Sequence, residues 1–315
     1  MKAKNSRNYS TDPMNVLEAE IAISALHSSG DYLVLRKLCL ERDSRFTHKS
    51  VSGSKTAICI DTETTGMDYQ TDKIIEIGIV AFEYDPATGS IIRISDRYSG
   101  FEDPGASLPP EIIEITGITD DMVAGQSFDN DRVLEIASKA SLAIAHNAAF
   151  DRKFVEARYP LFSRLPWACT VSQLNWQAER ISSRTLEYLL YKCGGYCINA
   201  HRALDDAEGL LGLLMSRFPV SDRPIFQELL ERSSKLTSKI CAVGAPFDRK
   251  DILKKRGYRW NDGTRGCKGW WINVPSDLEQ AEMNYLANEI YPGGRIDNVE
   301  INRIDALARF SIRET

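Results

Sequence analysis

The sequence predicts an α/β protein, a mixed sheet flanked by helices, with a helical N-terminal extension and a small α+β unit towards the C-terminus. Three observations carry this. A short apolar run, Ala57-Ile58-Cys59-Ile60, is followed by a longer one from Lys73 to Tyr84, and both read as core strands. Turn chemistry at Asp85-Pro86-Ala87-Thr88-Gly89 then leads into alternation from Ser90 to Tyr98, so the second and third strands form a hairpin. Beyond Leu108, helical and strand-like segments alternate, the pattern of a layered α/β architecture.

The elements follow in order. Residues 15–46 read as two short helices, Val16, Ile21, Ile23 and Leu26 lying before the Ser28-Ser29-Gly30 break and Leu33, Leu35, Leu38 and Leu40 after it. SVSGSK, at 50–55, is a polar linker. Pro109-Pro110 suits the first turn of a helix that Gly117 stops. Helices are expected over Arg132–Ala140, Phe150–Arg158, Leu186–Cys193 and Ala203–Phe218, with a short strand at Leu142–Ala145. Pro219 and Pro224 punctuate a bridge to a helix near 225–236. In the last unit, Ser276 and Glu279 suggest a capping box and Pro292-Gly293-Gly294 a helix end. The expected organisation is an extension over 1–55, a main domain over 56–217, a linker and helix over 218–237 and a small basic, aromatic domain over 238–315.

Length and composition agree with this division. At 315 residues the chain exceeds what a single core usually fills. Apolar residues at 43% and charged residues at 26% exclude long disorder and a fibrous protein. No apolar run reaches the roughly 18 residues needed to span a bilayer, and MKAKNSRNYSTDPMN has no hydrophobic region to serve as a secretory signal. No membrane association and a cytoplasmic location are therefore expected. Seven scattered cysteines do not form a disulfide framework in a chain of this size, and reduced thiols are expected.

The net charge of −5 announces no polyanion partner, but its distribution says more than the sum. Between Asp248 and Trp271, eight basic residues (Arg249, Lys250, Lys254, Lys255, Arg256, Arg259, Arg265 and Lys268) face three acidic ones (Asp248, Asp251 and Asp262), an excess of 8 − 3 = +5. Interleaved Tyr258, Trp260, Trp270 and Trp271 supply rings on which bases stack while cations meet phosphates. A purely structural role for these aromatics, as the core of a small unit, has equal weight at this stage.

Three acidic sites carry the chemistry. The first strand runs into Asp61-Thr62-Glu63-Thr64-Thr65-Gly66, and two residues apart on an extended chain the Asp61 and Glu63 side chains share a face. Crowded there, they either take up a proton or share a hard divalent cation, unless Asp61 is only a turn former and Glu63 solvated. The second site is His146-Asn147-Ala148-Ala149-Phe150-Asp151, after the strand at 142–145, with Asp151 near a helix start where the dipole also favours an anion. The third is His201-Arg202-Ala203-Leu204-Asp205-Asp206, opening a late helix.

In this order and over about 150 residues, ICIDTETTG, IIEIGIV, IAHNAAFD and HRALDDAEG resemble the DEDDh 3′-to-5′ exonucleases, above all the epsilon proofreading subunits of bacterial DNA polymerase III and their stand-alone relatives. The resemblance covers roughly residues 56–217. It implies a ribonuclease-H-like fold, a five-stranded mixed sheet whose first three strands are antiparallel. It implies two Mg²⁺ or Mn²⁺ ions per site: Asp61 bridging both, Glu63 and Asp206 completing the first, and Asp151 holding the second. The five-residue interval from His201 selects Asp206 over Asp205, and His201 is the implied general base.

The residue types suit phosphodiester hydrolysis. Two ions about 3.5 to 4 Å apart serve the attacking and leaving oxygens of an in-line displacement, and four carboxylates offset their charge. A histidine with an ordinary pKa of about 6.5 takes the proton of water near neutral pH. Thr64 and Thr65 are expected to offer backbone N–H groups to the terminal nucleotide, Phe150 a ring for its base, and His146 and Asn147 further substrate contacts. The expected substrate is the 3′ end of single-stranded nucleic acid, DNA favoured over RNA, with nucleoside 5′-monophosphates as products and a role in DNA repair. The alternative is a proofreading or interaction subunit within a polymerase or repair complex. A zinc site at Cys193, Cys197 and His201 is disfavoured by its spacing.

Overall fold

The computed structural model describes residues 16–49, 51–264 and 266–313. The polar opening stretch read for a signal sequence, Ser50 at the head of the linker and Arg265 of the basic run lie outside the described residues. Along the chain run α1 (Val16–Ser29), β1 (Arg36–Lys37), β2 (Lys55–Thr64), β3 (Ile74–Tyr84) and β4 (Ile91–Phe101). Next come α2 (Pro110–Thr116), α3 (Asp120–Val123), α4 (Asn130–Lys139), β5 (Leu142–Ala145), α5 (Ala148–Arg158), β6 (Trp167–Cys169) and α6 (Thr170–Gln173). Then follow α7 (Leu186–Gly194), β7 (Tyr196–Cys197), α8 (Ala203–Leu214) and α9 (Ile225–Ser234). The last unit contributes β8 (Thr237–Ala242), α10 (Lys250–Arg256), β9 (Arg259–Asn261), β10 (Gly269–Pro275), α11 (Glu279–Tyr285) and β11 (Val299–Ile304).

The main sheet has five strands in the order β4-β3-β2-β5-β6, with β2, β3 and β4 antiparallel and β5 and β6 parallel to β2, a ribonuclease-H-like arrangement. The β3–β4 hairpin turns where expected: Asp85 Oδ1 accepts from the Ala87 N–H, and Gly89 takes a φ of 70°. Both faces of the central strands are covered, which is why they read as continuous apolar runs and not as alternation. On one face Cys59, Val80 and Phe82 pack with Leu189, Leu210, Leu214 and Phe226 of α7, α8 and α9. On the other, Ile58, Ile60 and Ile79 pack with Val133 and Ile136 of α4 and Phe154 and Val155 of α5.

The second N-terminal helix expected before residue 46 is absent. Residues 36–37 pair parallel with β7, Arg36 opposite Tyr196, and Leu40 is buried against the α8 side of the sheet. The physical reason lies in the partners: Leu38 and Leu40 pack on the main core while Leu33 and Leu35 stay exposed, so the four leucines do not form one helical apolar face. The segment 218–237, expected as a linker with a helix, packs Ile225, Phe226 and Leu229 into the main core, the Phe226 ring lying edge-on to Phe82 at 5.3 Å and to Tyr84 at 5.1 Å.

The last unit is a four-stranded antiparallel sheet in the order β11-β8-β10-β9, covered on one face by α10 and α11 around Ile240, Leu253, Tyr258, Trp270 and Leu286. Two expectations fail here. Ser276 is not in the cap position, which Pro275 holds; its N–H donates to Leu236 O at 3.0 Å, and Glu279 accepts instead from Ser238 Oγ and from Arg303 at 2.8 Å. Cys241 and Cys267 form a disulfide, whereas Cys39, Cys59, Cys169, Cys193 and Cys197 are free thiols. The β9–β10 connection folds back onto the end of β8, a tertiary proximity that cysteine spacing does not encode.

Residues 305–313 return to the main domain. Ala306 O accepts from the Trp167 N–H at 2.9 Å, extending the outer edge of β6. The fully buried Arg152 donates to Leu307 O at 2.6 Å and Arg309 O at 2.7 Å, and Phe310 enters the α5 side of the core.

Candidate active site

Asp61 and Glu63 lie near the end of β2, on the same face as Cys59, which α8 covers. Their register partners on β3 are Gly78 and Glu76. Glycine at 78 is what brings α8 in: a Cβ there would lie 2.2 Å from the Ala203 carbonyl carbon and 2.3 Å from the Leu204 nitrogen. The first turn of α8 therefore seats directly on the strand, and carboxylate oxygens of Asp61, Glu63 and Asp206 all come within 4.8 Å of one another. Among the described residues this is the single cluster of three or more acidic, histidine or cysteine side chains able to hold a metal ion.

Asp151 reaches the same strand end from α5 and is held on the far side of it, with Oδ1 accepting from the Thr62 N–H at 3.2 Å and the Thr62 hydroxyl at 2.9 Å. It is 3% exposed. It stands outside the group of three but close enough to raise the pKa of Asp61.

Crowding and burial set the electrostatics. Burial first, and then the charges of Asp151, Asp206, Glu63 and Glu76, push the Asp61 carboxyl well above the ordinary range. Glu63 is pushed up to about 8 by burial and by Asp206, Glu76 and Asp151, with Arg202 opposing. Asp151 rises to about 7 through burial, against the hydrogen bonds from Thr62, and Asp206 to about 6, against the N–H of Arg202 that its Oδ2 accepts at 3.1 Å. A group of oxygens this averse to its own charge suits a hard divalent cation, and no thiol or imidazole nitrogen belongs to the set.

His201 sits at the threshold of α8, exposed, with a φ of 67°. A left-handed histidine is unusual and such conformations collect at functional sites. Next to it, Arg202 closes a two-pronged ion pair with Glu76 at 3.0 and 3.3 Å, and Glu76 also accepts from the Ala203 N–H. Sequence reasoning missed Glu76, which is 1% exposed and opposes Glu63 across the ladder. It lies within the IIEIGIV run, where its one polar side chain among core positions was the available signal.

The other expected contacts are distributed as follows. Thr64 is buried and its hydroxyl donates to Gly66 O, while the Thr65 N–H donates to Lys73 O, so that this N–H is spent within the protein and not open to a nucleotide as expected. His146 is engaged at both nitrogens, with Nε2 2.7 Å from Arg184 O and Nδ1 2.8 Å from the Thr170 hydroxyl. A carbonyl only accepts, so Nε2 carries the hydrogen and the neutral ring accepts at Nδ1, in keeping with a pKa that burial lowers. Asn147 is exposed just before α5, and Phe150 is half-buried, its ring 4.9 Å from that of Phe154.

Known proteins resemble the half of the chain that carries this site. Residues 58–214 match the RNase_T family model, described as "Exonuclease". The DNA polymerase III subunit epsilon of Treponema pallidum is 34% identical over 159 residues, covering 47% of this chain and 69% of that protein. DNA polymerase III PolC-type of Thermotoga maritima is 31% identical over 172 residues, and that of Clostridium perfringens 32% over 205, covering 50% and 63% of this chain. The chain spans only 11% and 14% of the length of these two relatives. Partial likeness extends to solved structures of Exonuclease X in complex with 5′ overhanging duplex DNA (26% identical, 50% of this chain, 89% of that chain, TM-score 0.36). It extends also to the nuclease domain of 3′hExo, a DEDDh family member, bound to rAMP (20% identical, 53% and 92%, TM-score 0.40).

The fold and the acidic cluster define a nuclease of the ribonuclease-H-like class. The chain belongs to the RNase_T family of exonucleases.

Proposed function

We propose that the protein hydrolyses single-stranded or frayed DNA from the 3′ end and releases nucleoside 5′-monophosphates. The observation that carries this reading is the close approach of Asp61, Glu63 and Asp206, with Asp151 beside them, at the end of a buried strand. Asp61, Glu63 and Asp206 would hold one Mg²⁺ or Mn²⁺, and Asp61 with Asp151 a second. Bound there, the ions supply charge stabilisation to both oxygens of an in-line displacement and lower the pKa of water. His201 is exposed beside Asp206 and takes the proton of the attacking water. Phe150 and Asn147, at the mouth of α5, are the side chains left to meet the terminal nucleotide, since the His146 ring and the Thr65 N–H already have protein partners. DNA is favoured over RNA because the relatives are DNA polymerase components.

The test is digestion of matched 5′-labelled single-stranded DNA and RNA with Mg²⁺ or Mn²⁺ and with EDTA, beside Asp61→Ala and Glu63→Ala. A metal-dependent ladder shortening from the 3′ end and lost in the variants is expected, DNA being cut faster. Equal rates on free and 3′-phosphorylated ends would count against an end-recognising pocket. The names of the relatives favour a second reading, a proofreading or repair subunit that works within a polymerase complex. Stable co-purification with a DNA polymerase would support it.

A further inference from the structure

The WW pair of the basic, aromatic region is split by its strand. On β10 successive side chains point to opposite faces, so Trp270 enters the small core at 9% exposure while Trp271 stands on the face that α10 and α11 leave uncovered. That open face is ordered in two rows. Across the first run Glu300, Cys241, Trp271 and Arg259, and across the second Asn302, Lys239 and Asn273. Lys239 Nζ rests 5.4 Å from the centre of a Trp271 ring and the Arg259 guanidinium 5.5 Å from it. Beside them a cleft of about 570 Å³ is lined by Lys239, Lys268, the Cys241–Cys267 disulfide and Glu300.

We infer that this open face binds single-stranded DNA, an inference that rests on the reading of the chain as a DNA exonuclease. The three cations, Lys239, Arg259 and Lys268, outnumber the two carboxylates near them, Glu300 and the Asp262 that interacts with Lys268, an excess that suits a phosphate chain on a protein whose overall charge is −5. The one large ring among them is a stacking platform rather than an apolar patch of the size a protein partner or membrane takes. In the free protein Lys239 and Arg259 lie on the indole; a base displaces them from the ring, and the phosphates on either side give them stronger partners. The basic residues of α10 face elsewhere: Arg256 is spent on Glu282 at 2.7 Å and on the Tyr285 ring, and Lys254 lies over Trp270 of the core side.

The experiment is fluorescence anisotropy of a 5′-labelled twenty-nucleotide oligo-dT with the full chain in EDTA, where nothing is cut. Trp271→Ala is expected to weaken binding about tenfold, with Trp271→Phe retaining most of the affinity. Lys239→Ala with Arg259→Ala is expected to lower the slope of log affinity against log salt by about 0.7 per cation. Lys254→Ala with Lys255→Ala is expected to change the affinity less than twofold. Unchanged affinity and slope in the Trp271, Lys239 and Arg259 variants would overturn the inference, as would a weakening confined to the α10 variant. Tighter binding of oligo-U through Trp271 would overturn the choice of DNA. The Lys239 and Arg259 variants remove side chains from the outer face and none from the small core, so they report even if Trp271→Ala does not fold. A wild-type protein that binds through this face yet cuts nothing with Mg²⁺ or Mn²⁺ would sink the exonuclease reading and leave the face standing; one that cuts while the variants bind normally would do the reverse.

Discussion

Gly78 lies directly across the β2–β3 ladder from Asp61, and the methyl group it lacks is the space that the first turn of α8 occupies. The atoms it would strike are backbone, so they cannot swing aside. Gly78→Ala is expected to lift the helix that carries Asp206 and follows His201, costing about 1 to 3 kcal/mol of stability. A displacement of about 1 Å at a reacting centre lowers turnover on the order of a hundredfold. Steady-state rates beside thermal melts check this; a variant with wild-type turnover would show that the close approach is not needed.

Glu76 and Arg202 fix the same helix by charge. Arg202→Ala leaves a buried carboxylate next to Glu63 without its counter-charge, and a loss of about 1 to 3 kcal/mol is expected. Arg202 is itself 42% exposed along its side chain, so solvent softens the loss towards the lower figure. The double variant Glu76→Gln, Arg202→Ala should cost less than the sum of the two single changes, which a double-mutant cycle of denaturant midpoints measures.

Stability of the metal-free protein should fall as pH rises. In the unfolded chain the four carboxylates lose protons near pH 4, whereas in the fold Asp206, Asp151 and Glu63 hold them to about 6, 7 and 8. Raised folded values stabilise the native state below the unfolded pKa, and that contribution disappears as pH climbs through the folded values. Melting temperature in EDTA is therefore expected to drop between pH 5 and 8, and Mg²⁺ or Mn²⁺ to restore more at pH 8 than at pH 5 with release of protons. A flat EDTA profile over that range would contradict the crowding.

Arg152 follows Asp151 in sequence and is the anchor for residues 305–313. Arg152→Leu leaves the buried Arg309 carbonyl without this donor and the buried Glu156 without this ion pair, at about 1 to 3 kcal/mol each. A lower melting temperature and faster protease cleavage within 305–313 are the expected readouts, with Arg152→Lys intermediate.

Much of this architecture was legible because its signals are local. Hairpin turn residues, the Asp-x-Glu spacing on one strand face and the five-residue step from His201 to Asp206 each specify geometry within a few residues of themselves. What escaped depends on distant partners. Glu76 is legible as an anomaly in a core strand but not as the mate of Arg202, 126 residues away. Only the main core shows which of the leucines from Leu33 to Leu40 pack on it, Leu38 and Leu40, and the Cys241–Cys267 bond needed the fold of the β9–β10 connection. Ser276 and Glu279 had the right spacing for a cap, but Arg303 and Ser238 compete for the same carboxylate. Trp270 and Trp271 read alike until a strand assigned them to opposite faces.

The return of residues 305–313 to the outer edge of β6 has a consequence for how the molecule is made. A ribosome works from the amino end, so β2 to α9 emerge well before the segment that covers Arg152. Until the whole small sheet has been synthesised, the edge of β6 has no partner and the helix bearing Asp151 lacks its last support. The nuclease half therefore completes its outer edge, and the last support of the helix bearing Asp151, only after its companion has been translated.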